Sequence, residues 1–180
     1  RSEDSFVDEL FSEAPTFGAP LLKANFPRAY VDPNREAYEL DPTMFEDQLP
    51  DFVNTNSIKV SAGLGTVAKV VTNGEEIYKE KLQFAEIKSR VESSYFPYHA
   101  ALRKLINATR ARFGICILID CHSMPSIGGP MDNDRGTKRV GIVLGNNHDT
   151  SCSPQLTSYT LESLRRQELL VCCNTPYSGG

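Results

Sequence analysis

Residues 115–119, Ile115-Cys116-Ile117-Leu118-Ile119, form a short aliphatic run that follows Gly114 and ends abruptly in Asp120-Cys121-His122-Ser123-Met124-Pro125. A strand with one face in water alternates polar and apolar residues, so an uninterrupted apolar run of this length predicts a strand buried on both faces. Open α/β sheets gather their ligand-binding groups at the carboxyl ends of such strands. The run therefore constrains the chain to a sheet covered by helices and places candidate chemistry at His122.

The chain has 180 residues, 40% hydrophobic and 23% charged, the balance of one globular domain over 1–180 with a core of its own. A formal net charge of -4 and no basic tract exclude a phosphate-backbone partner, and they argue against anionic membrane surfaces. No apolar run approaches the about 20 residues that span a bilayer, and no charged segment followed by an apolar one marks a signal peptide. The sequence starts at Arg1 rather than Met and stops at Ser178-Gly179-Gly180 just after a strand-like run, the pattern expected of a chain cut at both ends. Five cysteines, Cys116, Cys121, Cys152, Cys172 and Cys173, form no disulfide framework. Three of them lie in apolar runs where Cys acts as a small hydrophobe, which predicts a reduced, cytoplasmic protein. Cys172 and Cys173 would face opposite sides of a strand, and no CxxC pair is present, so a cysteine zinc site is not expected.

The pattern predicts a helix over 2–14 capped by Ser2, with Phe6, Val7, Leu10 and Phe11 on one face, and strands over 21–26 and 28–32. Pro33 and Pro42 enforce a loop, and 41–61 reads as a long irregular excursion of the functional kind. A strand over 67–71, a turn at Asn73-Gly74, a helix over 75–94 and a break at Pro97 follow. A second helix carries Tyr98, Leu102, Leu105 and Ile106 and leads into the 115–119 strand. The chain closes with a strand over 140–144, a helix over 154–167 with Pro154 in its first turn, and a strand over 169–173. Strand, helix and strand in that order predict a mixed or parallel sheet flanked by helices.

His122 is a candidate metal ligand, since neutral imidazole binds metals readily and the flanking Asp120 and Ser123 can hold one tautomer. The competing reading is a hydrogen-bonded loop histidine. A Cys121 nucleophile with His122 as base is disfavoured, because neighbours on an extended segment point to opposite faces. The second polar cluster is Arg28-Ala29-Tyr30-Val31-Asp32-Pro33-Asn34-Arg35. Arg35, helped by the Asn34 amide and by Arg28, has the planar fork that binds a substrate carboxylate bidentately. The plainer account pairs these arginines with Glu36, Glu39 or Asp41 at the surface, or has Arg28 brace Asp32. His99 is expected to cap or pack at a helix start, and His148 to face solvent.

The runs Glu3-Asp4-Ser5-Phe6-Val7-Asp8-Glu9-Leu10, Arg28 through Asp41-Pro42, Ala62-Gly63-Leu64-Gly65-Thr66 and Pro97-Tyr98-His99 resemble, in this order, the N-formylglutamate amidohydrolase family. Asp120 through Pro125, Val143-Leu144-Gly145 with Ser151-Cys152, and Asn174-Thr175-Pro176-Tyr177-Ser178-Gly179-Gly180 continue the resemblance nearly end to end. It implies a three-layer α/β fold, a central mixed or parallel sheet between helices, similar to the zinc carboxypeptidases. It also implies hydrolysis of the formamide of N-formyl-L-glutamate to formate and glutamate late in histidine breakdown.

In such a site zinc sits on a first histidine, an acidic residue and a second histidine. The second maps onto His122 and the acidic ligand onto Asp4 or its neighbour Glu3, while Asn34 and Arg35 resemble a carboxylate clamp. The resemblance puts the first histidine upstream of Arg1 and the proton-shuttling glutamate beyond Gly180, so 1–180 holds no assignable catalytic acid or base of its own. Gly145-Asn146-Asn147-His148 stands where the family shows Gly-Asp-Arg, and a charged pair is lost there. The expected partner is a small-molecule carboxylate, with oligomeric state left open. Two alternatives accompany this reading: a non-catalytic carboxylate-binding relative, and an amidohydrolase for another N-acyl amino acid.

Overall fold

Leu40, Met44, Phe45, Val53, Val67, Leu82, Ile87 and Val91 build one buried cluster from stretches whose sequence pattern reads variously as loop, strand and helix. The computed structural model describes residues 3–71, 73–130 and 132–179. They divide into two units, Arg1–Ser123 and Met124–Gly180.

The first unit is helical and irregular. Its elements are α1 (Val7–Leu10), 3-10 turns at Ala14–Phe17 and Pro42–Met44, α2 (Ile58–Ser61), α3 (Phe84–Arg90), a π-helical turn (Val91–Tyr95) and α4 (Phe96–Phe113). The expected helix over 2–14 shrinks to one turn because the Asp4 carboxylate accepts the Ser123 N–H at 2.8 Å and leaves the helical path. Ser2, its expected cap, lies outside the described residues. Residues 28–32 form a turn rather than a strand, closed by Tyr30 N–H to Pro27 O at 2.9 Å. The expected strand over 21–26 finds no ladder partner among the described residues, and 67–71 retains only an isolated bridge, Val70 with Glu76, around the predicted Asn73-Gly74 turn.

The helix expected from residue 75 begins nine residues later, at Phe84. Leu82 is drawn instead into a bridge with Phe45, its N–H donating to Met44 O at 2.8 Å while Glu46 N–H donates to Leu82 O at 3.0 Å. Asp47, from the opposite side of that bridge, then accepts the Phe84 N–H at 3.0 Å and supplies the cap that Gln83 does not. Pro97 does not break the helix: it sits in the first turn of α4, directly after the π-helical turn that joins α4 to α3. The 41–61 excursion is a core element: Met44, Phe45, Val53 and Val60 are all buried. Ser57 caps α2 through the Val60 N–H at 3.0 Å.

α4 ends at Gly114, whose left-handed φ of 74° and N–H bond to Arg110 O close it. The 115–119 run beyond it overturns the strand expected to be buried on both faces. It has no ladder partner among the described residues, and Ile115, Ile117, Leu118 and Ile119 are each more than half exposed. A strand needs a neighbour on each edge and a layer on each face, and local pattern provides neither.

The second unit is a short strand–helix–strand module, with β1 (Ile142–Leu144), α5 (Pro154–Arg166) and β2 (Val171–Cys173). β1 and β2 pair in parallel in a two-stranded sheet, with Val143 opposite Cys172. The expected helix and both expected strands appear here nearly where the pattern put them. Ser153 caps α5 through Leu156 N–H at 3.3 Å, and Pro154 occupies its first turn. In the loop where the resemblance implies a lost charged pair, Asn146 makes several side-chain hydrogen bonds. Its amide nitrogen donates to Asp149 Oδ1 at 2.7 Å and Thr157 Oγ1 at 2.9 Å, and its oxygen accepts from Asn174 Nδ2 at 2.8 Å. The chain as a whole mixes helix and sheet, with a sheet far smaller than the central one expected. Among the described residues no helix is long and apolar enough to cross a membrane.

Gly65 fixes the closest approach in the first unit. A Cβ there would overlap the Glu39 carbonyl oxygen, which accepts the neighbouring Thr66 N–H at 2.8 Å. Gly65→Ala is therefore expected to lower stability by about 1–3 kcal/mol, the cost of overpacking against backbone. Chemical denaturation checks this, and an unchanged midpoint would show that the 63–66 loop can move away from Glu39.

Candidate metal and carboxylate site

The turn at 28–32 sets Arg28 and Asp32 four residues apart on one side, and Arg28 Nε donates to Asp32 Oδ2 at 2.8 Å. Asp32 is only 5% exposed, and a carboxylate so buried must be paired and hydrogen-bonded. Its Oδ1 accepts the Asn34 N–H at 2.9 Å, and Arg35 Nε lies 3.8 Å from its Oδ2. Its own N–H donates to Thr66 O at 2.7 Å. The carboxylate thus shapes the chain from 28 to 35, with Pro33 stiffening the bend.

Arg35, its side chain 13% exposed, donates through Nε to Leu64 O at 2.9 Å and through Nη1 to Asn34 O at 2.6 Å. Among the described residues it makes no ion pair with Glu36, Glu39 or Asp41, so the plainer surface account does not describe it. Nη2 has no partner among the described residues, which leaves one edge of the guanidinium for a ligand. Arg28 braces Asp32 and also reaches Asp4 Oδ2, at 3.4 Å from Nη1.

His122 lies between two carboxylates. Nδ1 stands 3.2 Å from Asp4 Oδ2, and Nε2 stands 3.1 Å from Asp120 Oδ2. The Asn34 amide nitrogen closes the group, 3.3 Å from both Asp120 Oδ2 and His122 Nε2. Glu3, the other candidate acid, is exposed and has no polar partner among the described residues. Hydrogen bonds to Asp120 and then Asp4, aided by both charges and opposed by burial, push the His122 imidazole up from 6.5 to about 10. Burial pushes the Asp4 carboxyl up, but the His122 bond, the Ser123 N–H and the charges of His122 and Arg28 together hold it below its ordinary value. Asp120 is held low first by its His122 bond, against burial.

Among the described residues no group of three or more His, Cys, Asp or Glu is set to hold a metal ion. The reason is geometric, since the ring nitrogens of His122 point apart and Asp4 and Asp120 stand on opposite sides of the ring. Asp4 and Nδ1 together still offer one oxygen and one imidazole nitrogen, donor types that zinc accepts. Asp120, on Nε2, occupies the place of a carboxylate that orients a ligating imidazole. Burial, and then Asp120, raise the Cys121 thiol, so the nucleophile reading loses its thiolate.

Of the residues that the pattern at 28–35 and 120–123 singles out, Arg28 and His122 meet Asp4 across 24 and 118 residues and Asn34 meets His122, whereas Arg35 reaches only Asp32, Asn34 and Leu64 among the described residues. Asp32, which the pattern marks only as a partner for Arg28 to brace, is the most buried acid of the group. His99 packs as expected, with Nε2 2.9 Å from Pro33 O. His148 is exposed, in a left-handed turn with φ 53°.

These features define an α/β protein with an imidazole held between carboxylates beside an arginine loop. The family model for N-formylglutamate amidohydrolase matches residues 1–180, and the chain belongs to that family. It is 28% identical over 156 residues to an N-formylglutamate deformylase of Pseudomonas putida, covering 85% of this chain and 51% of that protein. A second, from Pseudomonas aeruginosa, is 26% identical over 157 residues, covering 86% of this chain and 52% of that protein. The crystal structure of N-formylglutamate amidohydrolase from Ralstonia eutropha JMP134 superposes with a TM-score of 0.85 at 34% identity, covering 98% of this chain and 63% of that one. The chain thus spans about half the length of the curated relatives it matches.

In the metal-free protein the His122 ring is expected to titrate far above 6.5, toward about 10. Because the folded value lies above the unfolded one, this contribution to stability is full below about 6.5 and is lost as pH rises toward about 10. Nitrogen-15 NMR of the ring reads the titration directly. Asp120→Asn should bring the midpoint down, and a wild-type midpoint near 6.5 would contradict the two-carboxylate arrangement.

Proposed function

We propose that the protein is a zinc-dependent amidohydrolase that cleaves the formamide bond of N-formyl-L-glutamate to formate and L-glutamate in histidine breakdown. The observation that carries this is the convergence of Asp4 and His122 beside the Asn34-Arg35 loop, in a chain of this family. Asp4 Oδ2 and His122 Nδ1 would hold the metal, with the remaining ligand and the proton-shuttling glutamate expected outside residues 1–180. When bound, zinc supplies a water of lowered pKa and polarises the amide carbonyl.

The chain's own residues do the rest. Ser123 N–H fixes one oxygen of Asp4 and turns the other toward His122. Asp120 keeps the proton on Nε2, so that Nδ1 is the nitrogen freed for the metal. The free edge of Arg35, with the Asn34 amide beside it, binds the substrate carboxylate and aligns the formamide. The same reading extends the fold to the three-layer, carboxypeptidase-like sheet and places the protein in the cytoplasm, in keeping with cysteines that are all free. A relative acting on another N-acyl amino acid is favoured by one feature, that an arginine fork recognises a carboxylate and not a particular side chain.

Formate release from N-formyl-L-glutamate by the full-length protein, with metal analysis of the same sample, tests this. Arg35→Lys keeps the charge but loses the fork, and kcat/KM should fall by an amount worth about 2–5 kcal/mol. His122→Ala should abolish turnover and metal retention, whereas His148→Ala should leave both nearly unchanged. Carboxylate binding without any formate release would assign the protein to the non-catalytic relatives instead.

A further inference from the structure

Tyr95, from the π-helical turn, and His99, from α4, touch the loop that carries the clamp, and nothing in the chemistry above uses them. Tyr95 Oη donates to Arg35 O at 2.7 Å, and His99 Nε2 stands 2.9 Å from Pro33 O. A carbonyl can only accept, so His99 carries its proton on Nε2 and donates. The two rings lie against each other, with centroids 4.2 Å apart and planes at 39°, so each holds the other in place. Burial first, then Glu36, Asp32 and Glu39, push the Tyr95 phenol up, which keeps its proton on the oxygen and the donor intact.

The π turn at Val91–Tyr95 explains why both reach the loop. Ile87 and Val91 are fully buried in the core, and Tyr95 and His99 continue the same series at steps of four residues. In a straight α-helix, positions four apart drift by about 40° per step. The wider π turn takes up that drift, so one stripe of the helix packs the core at one end and meets the 33–35 loop at the other.

We infer that Tyr95 and His99 are positioning residues for the carboxylate clamp. They pin the carbonyls of Arg35 and Pro33 on either side of Asn34, so the Asn34 amide and the free edge of Arg35 are presented in a single arrangement. The inference rests on the reading of Asn34 and Arg35 as the clamp. Losing either donor leaves the chemistry untouched but lets the loop sample other arrangements, and carboxylate binding weakens.

Calorimetric titration of glutarate into the full-length protein separates the possibilities, with N-formyl-L-glutamate kinetics alongside. Tyr95→Phe and His99→Phe keep the rings and remove one donor each, and each should weaken glutarate binding about three- to ten-fold, the range for one hydrogen bond. KM should rise in parallel with kcat within about two-fold. His99→Gln, whose amide nitrogen reaches about where Nε2 stands, should restore binding. Thermal unfolding of each variant reports whether the fold is kept, and His99→Gln recovers the test if His99→Phe disturbs it.

If Arg35→Lys loses glutarate while Tyr95→Phe and His99→Phe bind it as wild type does, the clamp stands and the positioning role is overturned. A fall in kcat at unchanged KM, or a His99→Gln variant no better than His99→Phe, overturns it too. If Arg35→Lys binds as wild type does, or wild type binds no glutarate, the clamp itself is wrong and the positioning role falls with it.

Discussion

The buried carboxylate of Asp32 is the constraint around which the first unit is arranged. A carboxylate that is 5% exposed is stable only when its lone pairs are met, and four groups meet it or its backbone: Arg28, Asn34 N–H, Arg35 and the Thr66 carbonyl. Each bond also serves a second purpose. The Arg28 bond converts 28–32 into a turn, the Asn34 bond sets the bend after Pro33, and the Thr66 bond joins this loop to the strip at 63–66. That strip is held in turn by Gly65 and Thr66 against Glu39, at a distance only glycine allows. The loop proposed as the carboxylate clamp is therefore shaped by an acid whose own partners all lie within the protein.

The His122 group follows the same logic with the opposite exposure. Its imidazole side chain is 40% exposed, yet hydrogen bonds to a carboxylate on each nitrogen favour the protonated ring and push its titration up to about 10. A divalent metal ion bound at Nδ1, as proposed, would have to displace the proton there, while Asp120 on Nε2 could keep its bond. The two carboxylates differ in their other partners, one tied to Ser123 N–H and Arg28 and the other to the Asn34 amide.

How much of this is legible in the sequence varies along the chain. The second unit reads almost correctly because its signals are local, with Ser153 and Pro154 starting α5 and short apolar runs making β1 and β2. In the first unit, residues 75–83 have a helical pattern, but long-range bonds from Met44 and Asp47 to Leu82 and Phe84 override it. The 41–61 stretch lacks periodicity because its apolar residues fill gaps in an irregular core, a role that leaves no regular spacing. The run at 115–119 has the composition of a buried strand but, among the described residues, not the neighbours that would make it one.

By itself the sequence determined which side chains are chemically able to act: His122 with flanking acids, and the Arg28-Asn34-Arg35 turn. It also determined the order of motifs that places the chain in its family. Residue type and local spacing are enough for that, because hydrogen-bonding capacity and turn chemistry belong to the residue. Only the tertiary structure decided that Asp4 and not Glu3 faces His122, that Asp120 takes the other nitrogen, and that Tyr95 and His99 hold the arginine loop. Those pairings join residues up to 118 apart in the chain, and no periodicity records which of two neighbouring carboxylates will be turned toward a partner brought in by the fold.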